Sequence, residues 1–236
     1  MYFLIPLIIG LVLLGIFLYF RANEKRVIAV YIKAFVSLMF ILTALLAWLN
    51  SNNPTSSFGL FIILGLGFGL IGDITLDIKF IDLKRSDLYT KIGFTSFGIG
   101  HIFYLLGLLI NFYDFSLNLL YLIIPTISAL ALMAITLLME KFTPIRYKNM
   151  KLYVIIYAFI LFFDVAIFLS TMIQKGFSVM TIDIIAFSLI SFALSDLILN
   201  NTYFAPNCNT PVYIISNHIF YYIAQFLIAV SLFFLF

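Results

Sequence analysis

Four ionisable side chains sit inside apolar stretches and occur as two matching sets. Gly72-Asp73-Ile74-Thr75-Leu76 is followed by His101-Ile102-Phe103-Tyr104, and Ser195-Asp196-Leu197-Ile198-Leu199 by His218-Ile219-Phe220-Tyr221. The two Asp positions are 123 residues apart, and the two histidines, the only ones in the chain, are 117 apart. An ionisable group in hydrocarbon is costly and marks a pathway or a reaction centre by default. Two carboxyls sharing an apolar setting can divide the roles of proton donor and anion, so acid–base chemistry is the first expectation.

The elements that must position these groups are membrane-spanning helices. The apolar fraction is 64% and the charged fraction 10%, and apolar runs long enough to cross a bilayer follow one another along the chain. The composition points to an all-α, polytopic transmembrane bundle of eight helices, near residues 2–20, 27–49, 58–78, 92–111, 116–139, 151–173, 179–200 and 212–235. No linker is long enough for a second domain, so residues 1–236 read as one integral membrane domain. The first apolar run starts at Tyr2 without a basic leader, which reads as a retained helix. Cys208 is the only cysteine and forms no internal disulfide. The net charge of +3 is small and dispersed, which gives no footprint for nucleic acid.

Lys and Arg alternate between loops. The first, third and fifth loops carry three, four and four, the second and fourth none, and the sixth only Lys175. Positive-inside logic puts the odd loops in the cytoplasm and both termini outside. Equivalent positions are four helices apart, an even number, so the expected halves, 1–111 and 112–236, are parallel repeats. Such halves are related by an axis along the membrane normal, and sites are favoured where they meet. The abundance of Ile, Phe and Asn suggests an AT-rich genome and a bacterial plasma membrane.

Helical rise places the polar groups in one leaflet. At about 1.5 Å per residue, Asp73 lies roughly 9 Å before Lys79 and His101 roughly 15 Å beyond Lys91. His218, Tyr221, Tyr222 and Gln225 follow spacings of three, four and seven on the last helix and form one polar stripe. Gly65, Gly69 and Gly72 on the third helix, with Gly93, Gly100 and Gly107 on the fourth, predict close approach of these two helices, which would bring Asp73 and His101 together. Asp73 and Asp77 are four apart and could face one cavity, or Asp77 could snorkel or pair with Lys79; Lys33 is expected to snorkel. Asp164 and Asp183 are as readily explained by a hydrogen bond to a neighbouring helix, or by an interfacial position, as by chemistry.

Gly72-Asp73, His101 with Tyr104, Phe192-Ala193-Leu194-Ser195-Asp196 and Tyr221-Tyr222-Ile223-Ala224-Gln225 together resemble the YhhN/lysoplasmalogenase family of eight-helix membrane proteins. The resemblance covers essentially the whole chain. It departs from the family in two places: no Arg stands in the sixth helix, where Asp164 is the only charge, and His218 is not a position associated with His. What the resemblance implies is hydrolysis of the vinyl ether bond of lysoplasmalogens to a fatty aldehyde and a glycerophospho-base. The expected catalytic set is Asp73, Asp196, His101, Tyr222 and Gln225, with no cofactor and no metal. The expected partner is a lysophospholipid within the membrane. A metal-dependent lipid amidase and a small proton-coupled carrier remain the alternatives.

Overall fold

A computed structural model describes residues 1–116, 119–208 and 210–236. Leu117 and Asn118, which the predicted fifth helix includes, and Asn209 in the predicted seventh loop lie outside the described residues. The eight helices are α1 (Leu4–Ala22), α2 (Arg26–Leu49), α3 (Ser57–Ile78), α4 (Ser86–Asn111), α5 (Leu120–Phe142), α6 (Lys151–Gln174), α7 (Met180–Phe204) and α8 (Pro211–Ser231). Each is long and apolar enough to cross a membrane. Their outer faces carry exposed Ile, Leu and Phe, such as Ile8, Val12, Ile127 and Phe187. Helices that are apolar all round find that environment in lipid. The chain is an integral membrane protein.

Two helices run further than expected. α4 begins at Ser86 instead of near 92, with Asp87 in its first turn, where the helix dipole favours an acid. α7 continues past 200 to Phe204 and ends at Ala205, whose extended backbone precedes Pro206, as a following proline requires. Polar residues at these ends belong to helices that reach into the interface. α3 is started by Ser56, whose hydroxyl accepts from the Phe58 N–H, and α8 by Pro211 in its first turn.

Helix packing has the same order in both halves. The neighbours α1–α2, α2–α3 and α3–α4 recur as α5–α6, α6–α7 and α7–α8, and the cross-contact of α4 with α6 has its counterpart in α8 with α2. One pairing lacks a match. α1 leans on α8, whereas among the described residues α5 has no comparable packing against α4.

α3 and α4 cross closely, as the glycine spacing predicted. A Cβ added to Gly100 would stand 2.9 Å from the Gly65 carbonyl oxygen, a backbone atom with no rotamer to move. Gly100→Ala should therefore force the helices apart and destabilise the protein by about 1–3 kcal/mol, seen as a lower melting temperature in detergent.

Candidate functional site

Asp73, on α3, is 1% exposed and its acceptor sites are occupied. Oδ2 accepts the Ser37 hydroxyl at 2.6 Å and the Tyr221 hydroxyl at 2.7 Å, and Oδ1 lies 3.2 Å from Lys33 Nζ. The helical period makes this possible, since Lys33 and Ser37 are four apart on one face of α2. Three donors around one carboxyl form the acceptor-only pattern of an ionised group. Lys33 reaches a second carboxylate as well, Asp77 Oδ1 at 3.4 Å. Arg21 Nη2 stands 3.9 Å from that same oxygen, with its guanidinium over the Phe80 ring.

Several sequence expectations change here. Lys33 does not snorkel; it is 5% exposed and tied to two carboxylates, because α2 and α3 pack side by side with these residues facing. Asp77 pairs with Lys33 and Arg21 instead of Lys79, and Lys79 lies over the Tyr203 ring. Arg21 belongs to the last turn of α1 and is buried, not to a loop.

Asp196 occupies the corresponding place on α7 with a different partner. It accepts a hydrogen bond from the Tyr157 hydroxyl of α6. Lys33 lies 40 residues before Asp73 and Tyr157 lies 39 before Asp196, so one half supplies an ammonium where the other supplies a phenol. Asp196 is less deeply covered than Asp73, and among the described residues its other oxygen has no protein donor.

Both carboxyls line one cavity near the C-terminal ends of α3 and α7 and the N-terminal half of α8. Arg21, Lys33, Asp77, Asn217, His218 and Tyr221 are among the polar residues of its wall. Asn217 is fixed by donating to the Ser195 carbonyl and hydroxyl oxygens, at 2.8 and 2.9 Å. The His218 Nδ1–H donates to the Ile214 carbonyl at 2.7 Å, which leaves Nε2 as the acceptor of a neutral ring. Arg21 Nε and Asp77 Oδ2, both buried, have no protein partner among the described residues.

The other expected residues stand behind this wall. Tyr222 Oη is 3.2 Å from the Ser37 hydroxyl, and Gln225 Nε2 donates to Tyr221 Oη at 2.9 Å. Each reaches Asp73 through one intermediary. His101 is not beside Asp73: although α3 and α4 pack closely, its Nδ1 is 2.8 Å from Asp164 Oδ2 on α6, and both side chains are fully buried. α4 lies between α3 and α6, and the imidazole takes the α6 side, edge-on to Phe192. Asp164 thus has the helix-to-helix bond that was one reading of it. Among the described residues, no group of three His, Cys, Asp or Glu side chains is placed to hold a metal ion.

The model of the YhhN family matches residues 28–232, from α2 through the turn that follows α8. This chain belongs to the YhhN family. The match spans every helix but the first, so the family extends over Lys33, Asp73, Asp196 and the α8 stripe, while Arg21 lies outside it. No curated protein and no solved structure matches the chain significantly. Lys33, Ser37, Arg21 and Tyr157 contact the buried carboxyls, and sequence reasoning did not mark them for that role. The spacing of Lys33 and Ser37 on one face of α2 was the available signal.

Proposed function

We propose that the protein is a membrane hydrolase that cleaves the vinyl ether bond of lysoplasmalogens. The products are a fatty aldehyde and a glycerophospho-base. The observation that carries this reading is the pair Asp73 and Asp196 on one cavity, the first surrounded by donors and the second held by one. Membership of the YhhN family supports it.

A vinyl ether is cleaved by protonating the carbon β to its oxygen. Asp196 donates that proton; the double-bond electrons form the new C–H bond, and positive charge spreads over the α-carbon and the ether oxygen. The Asp73 carboxylate stabilises the cation, as one of two carboxylates does for the oxocarbenium-like state in glycoside hydrolysis. Water attacks the α-carbon and returns a proton to Asp196. The hemiacetal then collapses, its hydroxyl proton passing to the departing glycerol oxygen. The net change is addition of one water. His218 Nε2 and Asn217 can order that water or the glycerol hydroxyl. Lys33 and the unpaired Arg21 Nε–H supply donors for the phosphate, and Tyr222 and Gln225 position Asp73 through Ser37 and Tyr221. With the basic loops in the cytoplasm, the substrate enters from the inner leaflet.

The test is aldehyde release by purified protein from a vinyl ether lysophospholipid, with the saturated ether as control. Release from the vinyl ether alone supports the reading. No release with any headgroup overturns it.

A further inference from the structure

Asp196 borders two spaces of opposite character. Besides the polar cavity, it lines an apolar slot walled mainly by α6 and α7. From Val154 to Phe162 the slot follows α6 for about 12 Å. Beyond Asp196, towards the middle of both helices, its walls are Ala158, Leu161 and Phe162 on one side and Ala193 on the other. Thr136 of α5 and Phe94 of α4 close its flanks.

Asp196, unlike Asp73, lines this slot. In the first half α1 packs on both α2 and α8, where Phe17 meets the His218 and Tyr222 rings and Arg21 reaches Asp77. In the second half, among the described residues, α5 packs on α6 without comparable packing on α4, and its Thr136 borders the slot.

We infer that this slot receives the hydrocarbon chain of the substrate, and that Ala158 and Ala193 set which chains fit. The inference rests on the proposed hydrolase reading and goes beyond it by assigning the chain a place. The occupant follows from the shared position of Asp196, which lines both spaces. An amphiphile with its anionic head near Arg21 and Lys33 and its chain between Ala158 and Ala193 would pass that carboxyl. The first carbons of the chain are then presented to the proton donor. A chain pointing from the inner end of α7 towards its middle also has the direction of an inner-leaflet lipid. Small side chains at 158 and 193 leave the width of a polymethylene chain; larger ones obstruct it.

The experiment compares hexadecenyl and butenyl lysophospholipids as substrates for the wild type, Ala193→Phe and Ala158→Leu. The expected result is a loss of kcat/KM for the long chain of about tenfold or more, with the short chain nearly unaffected. An equal effect on both chain lengths, or none, in variants that melt like the wild type overturns the slot. The same proteins are titrated with the saturated hexadecyl ether lysophospholipid, following the shift in melting temperature. If the wild type releases no aldehyde, the hydrolase reading fails, and this titration still judges the slot: a shift lost in both variants upholds it, and one retained in both overturns it.

Discussion

Asp196→Asn should lower aldehyde release by about 10²–10⁴-fold while leaving the melting temperature close to that of the wild type. The amide has the shape of the carboxyl, and its carbonyl oxygen still accepts the Tyr157 hydroxyl, so the α6–α7 contact survives. What is lost is the transferable proton. Asp73→Asn gives a useful contrast. Its new N–H₂ group takes the place either of the oxygen facing Lys33 or of the one accepting from Ser37 and Tyr221, so this variant should lose stability as well as activity. Activity and melting curves from the same detergent preparation separate the two effects. Retention of more than about a tenth of wild-type activity by Asp196→Asn would assign the proton to another group.

Lys33→Met should produce the largest loss of stability, about 3–5 kcal/mol, through the two carboxylates it leaves behind. The methionine preserves much of the apolar stem but removes the cation between Asp73 and Asp77, so two buried acids lose their shared counter-ion while Arg21 still faces Asp77. Adding Asp77→Asn to Lys33→Met should restore part of the loss, because one of the opposed charges disappears. Thermal unfolding in a single detergent measures both steps. Equal melting temperatures for Lys33→Met and the wild type would mean that this ion pair does not hold α2 against α3.

The helices were legible in the sequence because hydropathy over a span is a sum of many residues, and the alternation of apolar runs with polar breaks survives local exceptions. The same averaging obscured helix ends: Ser86 to Lys91 and Asn201 to Phe204 look like loop in composition yet are helical. The paired motifs led to Asp73 and Asp196 through their recurrence, and the α8 stripe was readable from its period. What spacing does not convey is which neighbouring helix a face meets. Lys33 looked close enough to the interface to snorkel; its partners are on α3, and depth along α2 contains no information about them. His101 shares a helix pair with Asp73 but turns to Asp164, a choice made by the packing of α4 against α6. Tyr157 was one of fourteen tyrosines, most of them explained as interface anchors, and only the contact with Asp196 sets it apart.

The placement of Lys33 and Asp77 also bears on how the chain enters the membrane. α2 and α3 are consecutive, joined by a short turn, and leave the ribosome long before α8 supplies Tyr221 and Tyr222. A lone Lys or Asp near the centre of an inserting helix is penalised by about 2.5–3.5 kcal/mol on translocon scales. As a hairpin, α2 and α3 carry that cation and its two counter-ions together, so neutralisation is available within two helices and does not wait for the end of synthesis. In the second half Asp196 meets Tyr157 of the preceding helix, and Asp164 meets His101, made earlier on α4. The order in which the nascent chain emerges is thus matched to the order in which its buried charges find partners.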